Sequence, residues 1–306
     1  MAPTHQAPLR NRLYRLDVKA SPYLYVVPFF VLFGIFGAYP LIYTAWVSLH
    51  KWGLLEETHP WVGLANYKQL LADPYFWNAL WNTLSILVMS TVPQLLFALV
   101  LAHVLNQRLR GPTTWRMSTL LPNITSVAAV AIIFGQLFGR DFGLINWILS
   151  LFDIGKIDWQ AGSATSQIAV AVMIIWRWTG YNALIYLAAM QAVPSDLYAA
   201  AALDGASSNQ QLWRITVPAI RPTIIFTVLN STIFGLQVVA EPLIFMNYSP
   251  SGGSDRQAQT LSLYLYEVGF TRWEFGYASA AAWLMFLIIM IAAAVNFLLI
   301  SRLRTA

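Results

Sequence analysis

QAVPSDLYAAAALDGASSNQQLWRITVPAIRP, from Gln191 to Pro222, is a polar stretch of about thirty residues set between two long apolar runs. It is too long for a tight turn and too rich in Ala and Leu for a disordered linker. Pro194 blocks continuation of the preceding helix, and Ser195 or Asp196 can cap a new one through Leu197 to Leu203. Asp204-Gly205 then breaks it. A second short helix is expected from Ser207 to Thr216, ending before Pro218, with Pro222 opening the next run. The product is a helix–turn–helix across one end of a bundle, and its small side chains, Ala199 to Ala202, let another protein approach the backbone closely. It reads either as a docking element or as an ordinary connection.

The flanking runs identify the solvent. Of 306 residues, 58% are hydrophobic and 10% charged, against roughly 25% charged in soluble domains, and the mean hydropathy is +0.58. A helix rising 1.5 Å per residue needs about 20 apolar residues to cross a hydrocarbon core of roughly 30 Å. Six runs qualify: Tyr23 to Leu49, Ala79 to Leu105, Met117 to Phe138, Gln167 to Met190, Thr223 to Met246 and Gly276 to Ser301. The expected fold is therefore an all-α integral membrane protein: a basic tail, residues 1–21, then a six-helix transmembrane domain, 22–306, with the loop 191–222 at its inner face.

Lysine and arginine orient it, because short cytoplasmic loops collect them. With the N-terminus inside, Arg10, Arg12, Arg15, Lys19, Arg108, Arg110, Arg116, Arg214, Arg221, Arg302 and Arg304 fall inside, whereas Lys51, Lys68, Arg140, Lys156, Arg256 and Arg272 fall outside with most of the acids. Both termini are expected in the cytoplasm of a multi-pass protein of the cell membrane. The net charge of +5 thus reflects membrane orientation, not nucleic-acid binding. The absence of cysteine excludes thiolate metal sites and cysteine nucleophiles, and His5, His50, His59 and His103 are too scattered for a metal or catalytic set. External Trp and Tyr residues, including Trp52, Trp61, Trp159 and Tyr264, suit an aromatic belt at headgroup level.

The opening stretch resembles the EAA loop of permeases in binding-protein-dependent ABC importers. Ala200, Ala201, Asp204, Gly205, Ala206, Ile215 and Pro218 match, whereas Ala199 stands where the pattern has Glu and Leu212 where an aromatic is common. VGLANYKQLLADPYFWNALWNTL (Val62 to Leu84), SGGSDRQAQTLSLYLYEVGF (Ser251 to Phe270) and FGYASAAAWLMFLII (Phe275 to Ile289) resemble the carbohydrate-uptake subfamily. The resemblance implies a type I ABC importer permease whose coupling helix, with Tyr198, Ala200, Ala201, Asp204, Gly205 and Ala206, docks into an ATP-binding subunit. Without the Glu, shape and apolar contact are left as the docking forces.

Polar groups inside spans face a bundle interior or a wet pathway. The fourth run holds Trp176, Arg177, Trp178, Thr179, Tyr181, Asn182 and Tyr186, and the fifth Asn230, Ser231, Gln237 and Glu241. Aromatic rings suit the apolar face of a pyranose, and amides, hydroxyls and a carboxylate suit its hydroxyls. Helical spacing puts Trp178, Tyr181 and Ile185 on one stripe, and Asn230, Phe234, Gln237 and Glu241 on another. Resemblance to the maltose importer places sugar contacts near Trp178, Tyr181, Asn230 and Gln237. Arg177 and Glu241 read as a structural ion pair, as pathway residues, or, for Arg177, as a ligand for an anionic solute such as a glycerol phosphate. The run GLQVVAEPLIF with the following loop looks most like permeases for β-linked disaccharides such as cellobiose.

No GxxxxGK[ST] loop occurs, so ATP and magnesium belong to another chain and this one needs no cofactor of its own. The resemblance implies a second homologous permease, two copies of an ATP-binding subunit and an extracytoplasmic solute-binding protein. A membrane enzyme would need clustered acids or histidines, and a secondary transporter paired broken spans in an inverted repeat; the sequence favours neither.

Overall fold

The computed structural model describes residues 7–107 and 111–304. Arg108 and Arg110, of the expected inner basic set, lie outside the described residues, as do the first six residues of the tail. Among the described residues there is no strand, only an isolated antiparallel bridge between His50 and Trp61.

Helix α1 (Ala7–Phe33) passes through a π-helical turn, Gly34–Ala38, into α2 (Tyr39–Ser48). The tail is thus helical from Ala7 and continuous with the first span. None of the most apolar stretch of Ser21–Ser48 is buried within the chain. A short helix α3 (Ala65–Ala72) leads to α4 (Pro74–Leu105), whose start is fixed by the Asp73 side chain accepting from the Tyr75 N–H at 2.8 Å, with Pro74 in the first turn. Then come α5 (Pro112–Ile124), α6 (Val127–Leu137), the short α7 (Leu144–Ser150) and α8 (Ser163–Gln191). Helices α4 and α8 form the most extensive pairing in the chain, and α5 lies across α8.

The opening loop folds as α9 (Ser195–Leu203), α10 (Ser208–Gln211), a π-helical turn Leu212–Thr216 and α11 (Val217–Ala219). Pro194 occupies the cap position of α9 and no side chain caps it, so the roles expected of Ser195 and Asp196 are not taken up. The second helix is capped by a reciprocal box between Ser207 and Gln210 and runs past Pro218. Proline removes an N–H and crowds the carbonyl four residues back; the wider turn before it, closed by Val217 N–H on Leu212 O, lets the helix continue.

Next come α12 (Arg221–Gly235), α13 (Ala240–Phe245), α14 (Leu261–Tyr266) with a π-helical turn Glu267–Thr271, and α15 (Phe275–Arg304), which packs on α2, α3 and α12. Among the described residues, four helices are long and apolar enough to cross a membrane, or up to six when each of two bent pairs counts as one span. Those pairs correct the picture of straight helices. The third span bends by 87° between Thr113–Ile124 and Val127–Leu137, and Ser208–Ala219 meets Arg221–Gly235 at 73°. The fifth span, expected unbroken from Thr223 to Met246, stops at Gly235 and resumes at Ala240.

Three apolar clusters hold the bundle. One joins Val130, Phe134 and Phe138 to Trp159, Val170, Met173 and Phe245. A second ties Leu99, Leu105, Tyr186 and Met190 to Leu212 and Ile220 of the helical loop. The third packs Leu70, Phe76, Tyr264, Val268 and Tyr277. Trp159 and Tyr264 are therefore core residues, not belt residues. The Trp159 indole donates to Asn146 Oδ1 at 3.0 Å, and the Tyr264 hydroxyl donates to Asp73 Oδ2 at 2.6 Å.

Candidate functional site

The break in the fifth span makes the site. Leu236 to Val239 leave the helical ladder, freeing backbone groups that in a bilayer must be satisfied from elsewhere. Two hydroxyls from the start of α14 do this: Thr260 Oγ1 donates to Val238 O at 2.6 Å and Ser262 Oγ to Leu236 O at 3.4 Å. Gly235 is where the chain leaves α12 hard against α4, since a Cβ there would lie 2.4 Å from Leu87 Cδ1. Pro242 sits in the first turn of α13, where its missing N–H costs nothing.

A cavity of about 390 Å³ opens beside this break, lined by Arg177, Trp178, Phe234, Gln237, Glu241 and, from the bend of the third span, Val127. The Trp178 ring lies nearly parallel to Phe234 at 5.8 Å and meets Tyr181 edge-on at 5.7 Å. Arg177 Nη1 donates to Glu241 Oε1 at 2.6 Å, joining α8 to α13; the two side chains are 14% and 9% exposed. Arg177 Nε is buried without a hydrogen-bond partner. Gln237 is exposed and its amide donates to Ile233 O at 3.0 Å, a contact any incoming hydroxyl could replace.

Of the expected pathway residues, Arg177, Trp178, Gln237 and Glu241 meet at this cavity, Tyr181 reaches it through the edge of Trp178, and Asn230, farther back in α12, is not in its lining. The stripe Asn230, Phe234, Gln237, Glu241 presumed a continuous helix; Gln237 and Glu241 arrive instead because the helix is broken. Tyr186 is spent on structure, its hydroxyl 2.6 Å from Thr227 Oγ1 in the core.

Beyond the cavity, α4, α8 and the segment before α14 are joined by a network the sequence reading did not single out. Asn82 Nδ2 donates to Arg256 O at 2.8 Å and Gln259 O at 3.1 Å, and Asn82 Oδ1 accepts from Gln167 Nε2 at 2.8 Å. The Arg256 guanidinium grips both oxygens of Glu267 at 2.6 and 2.9 Å, and Arg272 adds a third bond at 2.8 Å. Burial alone would raise the Glu267 carboxyl, but the hydrogen bonds from Arg256, Arg272 and Gln259 outweigh it and hold it down at about 2. Amides at Asn82 and Gln167 inside apolar runs were the legible signal, since such groups inside a span need partners.

At the other end, Gly205 takes φ +79°, as the Asp204-Gly205 break requires. Ala201, Asp204, Gly205 and Ala206 line a recess of about 360 Å³ with Gln210, Arg214 and Ile215. Tyr198 OH lies 2.9 Å from Thr216 Oγ1, tying α9 to the π-helical turn, and Ala200 is exposed beside it. Leu203 at the tip is 90% exposed. His103 Nε2 is 3.2 Å from Ser208 Oγ, linking the end of α4 to the loop.

Residues 70–305 match the family described as the binding-protein-dependent transport system inner membrane component. The chain belongs to this family. The permease is similar to the lactose transport system permease protein of Rhizobium radiobacter (33% identical, covering 97% of this chain and 98% of that one) and to an arabinooligosaccharides transport system permease protein of Bacillus subtilis (31%; 91% and 88%). Its fold matches a chain of a bacterial ABC transporter involved in the import of the acidic polysaccharide alginate, with a TM-score of 0.80 at 23% identity, over 95% of this permease and 99% of that chain. The helical loop, the broken spans and the cavity lie within the matched residues.

Proposed function

We propose that this permease is one transmembrane half of an ATP-driven importer that carries a neutral di- or oligosaccharide, of the β-linked cellobiose type, into the cytoplasm. The cavity at the break of the fifth span carries the reading. It combines stacked aromatic rings, an exposed amide at Gln237 and an ion pair of zero net charge. A pyranose offers an apolar face to Trp178 and hydroxyls to the Gln237 amide and to the Arg177–Glu241 pair at the cavity wall. The names of the relatives support a sugar: lactose, arabinooligosaccharides, trehalose and maltose, and sulfoquinovosyl glycerol.

In this reading the recess around Ala201, Asp204, Gly205 and Ala206 receives an ATP-binding subunit, with Tyr198 and Ala200 at its margin. Two copies of that subunit bind ATP and magnesium, a second homologous permease completes the pathway, and an extracytoplasmic solute-binding protein delivers the sugar. Both termini face the cytoplasm. A glycerol phosphate fits less well, because Glu241 already occupies the arginine an anion would need.

The test is uptake of radiolabelled cellobiose, maltose, trehalose and glycerol 3-phosphate in cells with and without the gene, with Trp178→Ala and Gln237→Ala in the same cells. Loss of one sugar's uptake on deletion, and its reduction in both variants, supports the reading. Unchanged uptake of every sugar, or loss of glycerol 3-phosphate alone, overturns it.

A further inference from the structure

We infer that the Arg177–Glu241 pair sets the charge selectivity of the cavity, with Glu241 excluding anionic sugars and Arg177 excluding cationic ones. This rests on reading the cavity as the sugar pathway. Among the described residues the two are the only charged ones in its lining, and they come from different helices, α8 and α13. One bond at 2.6 Å joins them, so the site is neutral as a whole while carrying a full charge of each sign on its wall. Both side chains are nearly buried, which keeps solvent from screening them. The guanidinium is not fully used: Nε has no partner, and the plane stands 6.0 Å from the Trp178 ring centre without a closer stacking contact. Arg177 is the cation in the lining that a carboxylated or sulfonated sugar would approach, and what denies such a sugar that place is the fixed negative charge beside it.

The size of the effect follows from electrostatics. Two like unit charges about 6 Å apart at an effective dielectric of about 20 repel by an amount equal to roughly a hundredfold in affinity. Removing the Glu241 charge lifts that repulsion and leaves Arg177 unpaired. Removing the Arg177 charge does the mirror image, leaving a lone carboxylate that favours an amino sugar.

The experiment measures affinity calorimetrically on the assembled importer in detergent, without its solute-binding protein, so that delivery does not impose its own selectivity. The probes are cellobiose, cellobiouronic acid and the glucosamine disaccharide. In Glu241→Gln the ratio of uronate to cellobiose affinity rises by about 10- to 100-fold; in Arg177→Gln the ratio of glucosamine disaccharide to cellobiose affinity rises comparably. Arg177→Gln/Glu241→Gln together shifts neither ratio. Should Glu241→Gln fail to assemble, the Arg177→Gln arm decides alone. Ratios unchanged in the single variants, while Trp178→Ala abolishes cellobiose binding, overturn the charge-selectivity inference and leave the pathway standing. Cellobiose binding untouched by Trp178→Ala overturns the pathway reading itself, and the inference with it.

Discussion

Gly180 stands in the middle of α8 where α5 crosses it, and a single methyl group there forces the two helices apart. A Cβ on Gly180 would lie 1.7 Å from the carbonyl oxygen of Thr119, 2.7 Å from its carbonyl carbon and 3.3 Å from its Cα. Ordinary contact begins at 3.4 Å, so in Gly180→Ala helix α5 must retreat by about 1.7 Å at this point. Both partners are main chain, and no rotamer change relieves the clash. Overpacking a core costs about 1–3 kcal/mol where side chains can yield, and a backbone-on-backbone clash belongs at or above the top of that range, more than a hundredfold in the equilibrium it opposes. The displaced helix leads directly into the bend at Thr125 and Ser126, and so carries Val127 away from the cavity wall. Thermal aggregation of the detergent-solubilised permease and sugar uptake in cells are the assays, with Gly135→Ala as control because nothing lies within 4 Å of a Cβ there. Gly180→Ala loses most uptake and aggregates at clearly lower temperature, whereas Gly135→Ala is neutral or slightly stabilising, as expected for a helical glycine. Wild-type uptake and stability in Gly180→Ala would refute the close crossing of α5 and α8.

Gly205→Pro and Ala201→Trp leave the protein in the membrane but abolish uptake and reduce co-purification of an ATP-binding subunit, since proline cannot adopt φ +79° and an indole at Ala201 fills the recess; normal uptake in either variant sinks the docking role. Asn82→Leu leaves the Gln259 carbonyl without its donor and takes one partner each from the Arg256 carbonyl and the Gln167 amide, which keep Asn78 and Ser163 with Gln257, and lowers stability by about 1–3 kcal/mol, read as reduced accumulation of folded protein at the membrane. Glu267 titrates in the fold at about 2 against an ordinary 4.5, so its stabilisation is complete above about pH 4.5 and disappears as pH falls through about 2. Purified Glu267→Gln is therefore less stable than wild type at pH 7, with the difference closing across that window; a constant difference would mean that the carboxylate is not what Arg256 and Arg272 hold.

What the sequence made legible is what depends on local composition. Six apolar runs announce themselves by length, and the Asp204-Gly205 break by a residue that takes positive φ without steric cost. The interruptions of the spans were less legible, because apolar composition continues through them. Pro122 and the Gly235 to Pro242 interval hinted at the two breaks, yet mean hydropathy cannot distinguish a broken helix from a whole one. For that reason the stripe from Asn230 to Glu241 named residues that meet, through a periodicity that does not hold. Arg177 and Glu241 stand 64 positions apart, and only the fold brings them to 2.6 Å. The same is true of Asn82, whose partners at Arg256 and Gln259 lie 174 and 177 residues away.

That last separation bears on how the chain is made. At about 5–20 residues per second, Asn82 is synthesised roughly 9 to 35 seconds before Arg256 exists to accept its hydrogen bond, and Gln167 arrives about midway, 85 residues on. During synthesis the two amides have each other across the α4–α8 pair, and Gln167 has Ser163 besides, but both lack their carbonyl partners, so α4 and α8 associate around an unfinished polar seam. The segment from Arg256 to Gln259 then seats in that seam like a keystone, and a chain that stops before residue 256 lacks the carbonyls that complete it.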